Sequence, residues 1–311
     1  MDDTDFRLLK ALVMNSRTTY RELADGEGLS VNAVHKRVQA MIDRGIVRQF
    51  TISLTGKALP QQWIKIGGAS DAAIVGEAVE RLGRSPLTAR VIVAGGNYMY
   101  VRGVLHDVSE LGEYVNFVIR EGRLKTPVYG LLNHPPPRGS SDVSLTRTDF
   151  RILATLQDDA RKPIAEVSRE LCVTAKTIGR RVERMENNGL LYYLTRYDPA
   201  PAGDVFALLN LYAREGLDNR KVAAMLKVKY ARHMLHFWTY STRPDLIVFV
   251  ARARTMAELK VLQDTMQAEG LFDRIVPNIA YHMYYFDTWC QDHVREKASV
   301  APGVPEHEPP G

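Results

Sequence analysis

Asp5-Phe6-Arg7-Leu8-Leu9-Lys10-Ala11-Leu12 returns further along the chain as Asp149-Phe150-Arg151-Ile152-Leu153-Ala154-Thr155-Leu156. A shift of 144 positions holds this register without a gap from 5–47 to 149–191, with eleven of the 43 positions identical. The identities include Arg17/Arg161, Glu22/Glu166, Arg37/Arg181, Val38/Val182, Met41/Met185 and Gly45/Gly189. Ser30/Thr174, Val34/Ile178 and Lys36/Arg180 are conservative exchanges. Gapless agreement at both cap and core positions marks an internal duplication, and every later element must be read twice.

Each copy opens with three helical patterns. Phe6, Leu9 and Leu12, like Phe150, Leu153 and Leu156, repeat at helical spacing. Thr19 three residues before Glu22 predicts a capping box at the second helix, and Pro163 takes the place of Thr19 in the second copy. Ser30 and Thr174 are placed as N-caps of a third helix. Its apolar face is Val34, Val38 and Met41, or Ile178, Val182 and Met185. The opposite face carries Asn32, His35, Lys36 and Gln39, or Lys176, Arg180 and Glu183. Gly45 and Gly189 suit a left-handed stop, and the runs 46–52 and 190–194 read as wing strands. Two helices, a turn, a polar-faced third helix and a strand describe a winged helix-turn-helix, whose third helix enters the DNA major groove.

These residues resemble the Lrp/AsnC family of transcription regulators. The first copy carries the resemblance in Asp5, Leu9, Leu12, Arg17, Glu22-Leu23-Ala24, Leu29-Ser30, Val34, Arg37-Val38 and Gly45-Ile46-Val47. The second carries it in Asp149, Leu153, Leu156, Arg161, Glu166, Thr174, Ile178, Arg181-Val182 and Gly189-Leu190, and departs at Cys172 and Ser168. The resemblance implies an α+β fold in which two winged helix-turn-helix domains alternate with two ferredoxin-like βαββαβ sandwich domains. Alternating strands and helices at 63–132 and 205–285 suit that order. The expected organisation is helix-turn-helix at 1–60, sandwich at 61–132, a Pro/Gly/Ser linker at 133–144, helix-turn-helix at 145–200, sandwich at 201–290 and a disordered tail at 291–311. Paired sandwich domains, within one chain or between chains, are a further expectation.

The expected partner is therefore double-stranded DNA. Candidate contacts are Ser30, Asn32, His35, Lys36, Arg37 and Gln39 in the first copy and Thr174, Lys176, Thr177, Arg180 and Arg181 in the second. Arg37 and Arg181 can equally touch phosphate or brace the helix. The family also implies an effector, such as an amino acid, near a Gly-Asp-aromatic-Asp turn. Gly96-Asn97-Tyr98 matches that turn without its acids, and Asp245 marks the corresponding turn of the second copy. The aromatic group Tyr281, Tyr284, Tyr285, Phe286 and Trp289 reads as sheet core or pairing surface.

A second resemblance leads to an enzyme. Siroheme decarboxylases share the helix-turn-helix plus sandwich build, and His233, His236 and Arg243 are the residues that would serve such chemistry. The sequence has no Gly-rich phosphate loop, nucleophile elbow or HExxH motif, so neither catalytic residues nor a cofactor is expected. His233 and His236 lack an evident third ligand, and no metal is expected. Two cysteines without ligand spacing suit a reducing cytoplasm, and an acidic start predicts no secretory signal. The net charge of +5 and 25% charged residues are compatible with an anionic partner without naming one.

Overall fold

A computed structural model describes residues 1–132 and 144–299. The expected linker, 133–144, lies outside the described residues except for its last position. The first copy builds α1 (Asp3–Met14), α2 (Tyr20–Glu27), α3 (Val31–Asp43) and β1 (Val47–Leu54). It continues with β2 (Gln62–Ser70), α4 (Val75–Gly83), β3 (Thr88–Ala94), β4 (Tyr98–Leu105), α5 (Leu111–Gly122) and β5 (Leu124–Leu131). The second copy repeats the order as α6 (Arg147–Asp158), α7 (Ile164–Leu171), α8 (Ala175–Asn187) and β6 (Leu191–Tyr197). After these come β7 (Val205–Ala213), α9 (Asn219–Lys229), β8 (Met234–Thr239), β9 (Leu246–Ala253), α10 (Met256–Ala268), β10 (Phe272–Tyr285) and α11 (Trp289–Ser299). No helix among the described residues is long and apolar enough to cross a membrane.

Local chemistry accounts for the helix boundaries. Thr19 and Glu22 close the anticipated capping box, and Asp2/Asp5 and Thr146/Asp149 build the same device at α1 and α6. The Ser30 and Thr174 hydroxyls accept the amides of Ala33 and Thr177. Gly28 ends α2 at φ 65°, and Cys172 adopts the same left-handed turn at φ 55°. The turn is thus preserved in the second copy, at a strain of about 1 kcal/mol for a residue with a Cβ.

The runs read as wing strands are strands, β1 and β6, and neither makes a local hairpin. They pair with each other antiparallel, from Val47 opposite Tyr197 to Leu54 opposite Leu191. Each copy has one strand here, and pairing across the duplication satisfies the hydrogen-bonding edge that each would otherwise expose. Ile52, Leu54, Leu191 and Tyr193 bury beside the core of the second helical unit.

The two sandwiches follow the βαββαβ order. Their strands run β5-β2-β4-β3 and β10-β7-β9-β8, joined into eight strands by β3 against β10. A single bridge, Leu132 to Tyr240, ties the far edges together. Helices α4 and α5 cover the outer face of the first sheet, whose Ile64, Ile66, Val91 and Val101 they bury. The inner faces of the two sheets meet, with Ile92 and Tyr100 of one packed among Leu208, Trp238 and Val248 of the other.

The C-terminal expectation is corrected. Residues 291–299 belong to α11, whose Val294 is fully buried in the second helical core, while Cys290 beside it is also buried. An apolar position and a neighbouring surface at α6 override a charged, Pro-rich composition further on. Residues 300–311 lie outside the described residues.

Candidate nucleic-acid interface and an internal cationic cavity

Helix α3 presents Asn32, His35, Lys36 and Gln39 to solvent, while Val34, Val38 and Met41 are buried against α1 and α2. The His35 ring meets Tyr20 edge-on at 5.3 Å, and the Gln39 amide donates to Asp43 at 2.8 Å. On α8, Lys176 and Arg180 are exposed, and Thr177 is half-buried with its hydroxyl 2.9 Å from that of Thr174. Each helix therefore offers a polar, partly cationic face on an apolar base.

Arg37 and Arg181 are engaged inside their own units. Arg37 donates to Asp2 at 2.6 Å and to Asp5 at 2.7 Å. Arg181 donates to Thr146 and to Asp149, each at 3.0 Å, and Arg184 reaches Asp149 at 2.6 Å. The Asp149 side chain is wholly buried. Burial alone would raise its pKa, but the Thr146 hydrogen bonds and Arg181 outweigh it and hold the carboxyl below its usual range.

A second feature lies between the β1–β6 pair and the open end of the facing sheets. A cavity of about 450 Å³ is lined by β1, β2, β3, β4, β6 and β8 and by the segment after β10. Strand register builds one wall. Lys65 stands opposite Arg102, Arg102 opposite Arg90, and Arg90 opposite Tyr285, so four adjacent strands carry one continuous row. Lys65 and Arg90 are buried, and Arg102 is half-buried. Across the gap, Trp238 receives the Lys65 ammonium on its face, and the His236 ring stands beside it. Trp63 covers Arg102 at 3.9 Å.

The electrostatics of this wall are one-sided. No Asp or Glu lines the cavity among the described residues. Among the described residues no acid pairs with Lys65 or Arg90, and the Nε atoms of Arg90 and Arg102 are buried without partners. Burial first, then Arg90 and Arg102, holds the Lys65 ammonium well below its ordinary value. Burial pushes the Arg102 guanidinium down to about 10, against Tyr192, whose hydroxyl oxygen accepts a hydrogen bond from it and supports its charge. His236 is driven well below 6.5 by burial and then by Arg90, Lys65 and Arg102, and its Nε2 lies 3.2 Å from the Tyr197 hydroxyl.

The other sequence candidates disperse. Gly96 and Asn97 form a short helical turn between β3 and β4, both at positive φ. Tyr98 meets Tyr100 with ring centroids 4.8 Å apart, tilted by 48°, in the inter-sheet core. The Asp245 carboxylate is taken by Arg243 in two hydrogen bonds of 2.8 and 2.6 Å. His233 lies against the Arg252 carbonyl, apart from the cavity that holds His236. The aromatic group divides: Tyr285 lines the cavity, Phe286 packs on the first sandwich, and Tyr281 and Tyr284 are exposed. No group of three or more metal-ligating side chains occurs among the described residues. Sequence reading missed Lys65, Arg90 and Arg102. Their one visible signal was a basic residue on the alternating face of each of three strands.

Fold and exposed helices define a winged helix-turn-helix DNA-binding protein in duplicate. Residues 1–48 match the winged helix-turn-helix DNA-binding domain, and residues 145–186 match the AsnC-type helix-turn-helix domain. An uncharacterized HTH-type transcriptional regulator of Pyrococcus furiosus is 31% identical over 128 residues, 39% of this chain and 84% of that protein. The regulator LrpA of Pyrococcus horikoshii is 29% identical over 118 residues, 37% of this chain and 84% of its own length. This chain belongs to the Lrp/AsnC family and is a DNA-binding transcription regulator, carrying two family units in tandem. The siroheme decarboxylase NirDL has the same fold, with a TM-score of 0.57 and 14% identity over 95% of this chain and 98% of its own. NirDL has also been solved with an iron-uroporphyrin III analogue, at a TM-score of 0.58 and 13% identity over 95% of this chain and 99% of its own.

Proposed function

We propose that the two helix-turn-helix units act as one preassembled and unequal pair, which reads an asymmetric duplex site with a single chain. The pairing of β1 with β6 carries this reading. It joins the two units through backbone hydrogen bonds, so α3 and α8 are presented together without a second subunit. Their exposed residues differ: Asn32, His35, Lys36 and Gln39 on one, Lys176, Thr177 and Arg180 on the other. Unlike side chains in the groove favour unlike base pairs. Ser30 and Thr174 cap these helices at their N-termini, the helix ends that favour a phosphate. Arg37 and Arg181, bound to acids of their own units, hold α3 and α8 in place.

Selection of bound duplexes from a random pool, with the mass of the complex, tests this. The expected result is an asymmetric site bound by one chain, with half-site centres about 34–36 Å apart or a multiple of that. A palindrome bound by two chains overturns it.

A reducing cytoplasm remains the compartment this reading calls for. Enzyme chemistry on a tetrapyrrole is the weaker reading, because only His236 of the three residues it needs reaches the cavity. Siroheme added to the purified protein should leave the tetrapyrrole unchanged; loss of its carboxyl groups would restore the enzyme.

A further inference from the structure

The row Lys65, Arg102, Arg90 is costly as it stands. Like charges directly opposite on neighbouring strands repel, and Lys65 and Arg90 have been taken out of water. Cation–π contacts with Trp63 and Trp238 recover part of the loss, about 1–2 kcal/mol each where water is excluded, but supply no counter-charge. Apolar residues of similar volume would pack this wall at lower cost. A charge row retained against that cost, beside an open volume, calls for an anion that enters the cavity.

The shape of the site narrows the class. A volume of about 450 Å³ is that of a site for one small organic molecule. Its lining includes the flat rings of Trp63, Trp238, Tyr197 and Tyr285 beside the basic groups. Two guanidiniums, Arg90 and Arg102, offer forked donors that match carboxylates. Lys65 adds a third donor at the side of the ring slot.

We infer that this cavity is an effector site for a small aromatic di- or tricarboxylate, and that its occupancy sets DNA affinity. The inference rests on the regulator reading above and supplies its ligand. The link to DNA is structural. Thr51, Ile52, Ser53, Leu194 and Thr195 belong to the β1–β6 pair that joins the two units, and Val13 and Met14 to the end of α1. A ligand drawn to the cationic row presses on the same strands that set the spacing of α3 and α8.

The site also differs from the turn at Gly96-Asn97-Tyr98. That turn follows Ala94 at one end of β3, whereas the row sits at Arg90, toward the other end of the strand. A ligand of the cavity therefore need not touch Asn97 or Asp245.

The test uses the full chain. Naphthalene-2,6-dicarboxylate and benzene-1,3,5-tricarboxylate are titrated by calorimetry, with inorganic phosphate and toluene as the bare anion and the bare ring. The expected result is saturable binding of one carboxylate probe per chain, at least tenfold tighter than phosphate or toluene. Lys65→Met and Arg102→Gln should each weaken it about tenfold or more, and Asn97→Ala should leave it unchanged. Bound probe should shift duplex affinity at least threefold in wild type and not in Lys65→Met. The absence of saturable binding by either carboxylate, equal binding of phosphate, indifference to both substitutions, or unchanged duplex affinity at saturation overturns the inference. Circular dichroism of the variants separates lost binding from lost fold. Duplex binding without the probe is measured beside it, so failure of the regulator reading is seen independently.

Discussion

The Lys65 ammonium lies 2.8 Å from the centroid of the Trp238 ring, joining the inner face of the first copy's sheet to that of the second. Lys65 is 3% exposed, and the side chains nearest its charge in the sheet are cations rather than acids. This contact ties a destabilising group to the interface between the duplicated halves.

Replacing Lys65 by Met should therefore make the empty protein more stable. Met keeps the ring contact and removes the desolvated charge, so a gain of about 1 kcal/mol or more is expected. The midpoint of denaturant unfolding measures it. A variant less stable than wild type shows that the ammonium has a compensating partner when the cavity is empty.

Stability should also rise with pH in a way that depends on Lys65. Its folded pKa is depressed, so the unfolded chain binds more protons at every pH between the two values. Stability is then lost as pH falls below about 10.4, by at most about 1.4 kcal/mol per pH unit for one whole proton. His236 adds the same sign below about 6.5. The groups facing Lys65 are Arg90 on β3, Arg102 on β4, and His236 and Trp238 on β8. Unfolding between pH 7 and 9.5 should steepen in wild type relative to Lys65→Met; parallel profiles contradict a depressed Lys65.

Equivalent acids in the two copies should differ in their worth. Asp149 is wholly buried and bound by Arg181 and Arg184, whereas Asp5 and Arg37 keep access to water. Asp149→Asn should cost about 3 kcal/mol, as for breaking a buried pair. Asp5→Asn should cost less than about 1 kcal/mol. Thermal unfolding of the two variants compares them, and equal losses count against the difference in burial.

Duplex affinity should fall steeply with salt, because cations on two readers release condensed counterions. Log affinity should drop by about 0.9 per log unit of salt for each phosphate contacted. Lys36→Ala should weaken all sequences alike and lower this slope. Asn32→Ala should instead relax preference at one base pair, by about 1–3 kcal/mol if its contact is bidentate. Fluorescence anisotropy at several salt concentrations reads both, and an unchanged slope and preference remove α3 from the interface.

Much of this was written locally. The duplication, the helices and most of their caps, and the exposed faces of α3 and α8 follow from spacings of three, four and 144 residues along one chain. Capping and amphipathic packing need only near neighbours, so residues such as Thr19, Ser30 and Val34 announce them. The tail was misread because the isolated apolar position at Val294 gains meaning only from α6, far away in sequence.

What tertiary structure decided is partnership between strands. Lys65, Arg90 and Arg102 fall in a stretch that reads as alternating strands and helices, and no local rule says which stand opposite one another. The registers of β2 with β4, β4 with β3, and β3 with β10 put them in one row with Tyr285. Side chains alternate with a period of two, so a slip of one residue in any of these pairings would break the row. The pairing of β1 with β6, which closes the cavity and joins the readers, depends on contacts some 140 residues apart. The two halves were legible because their signals are local; the site between them exists only when long-range pairing brings the halves together.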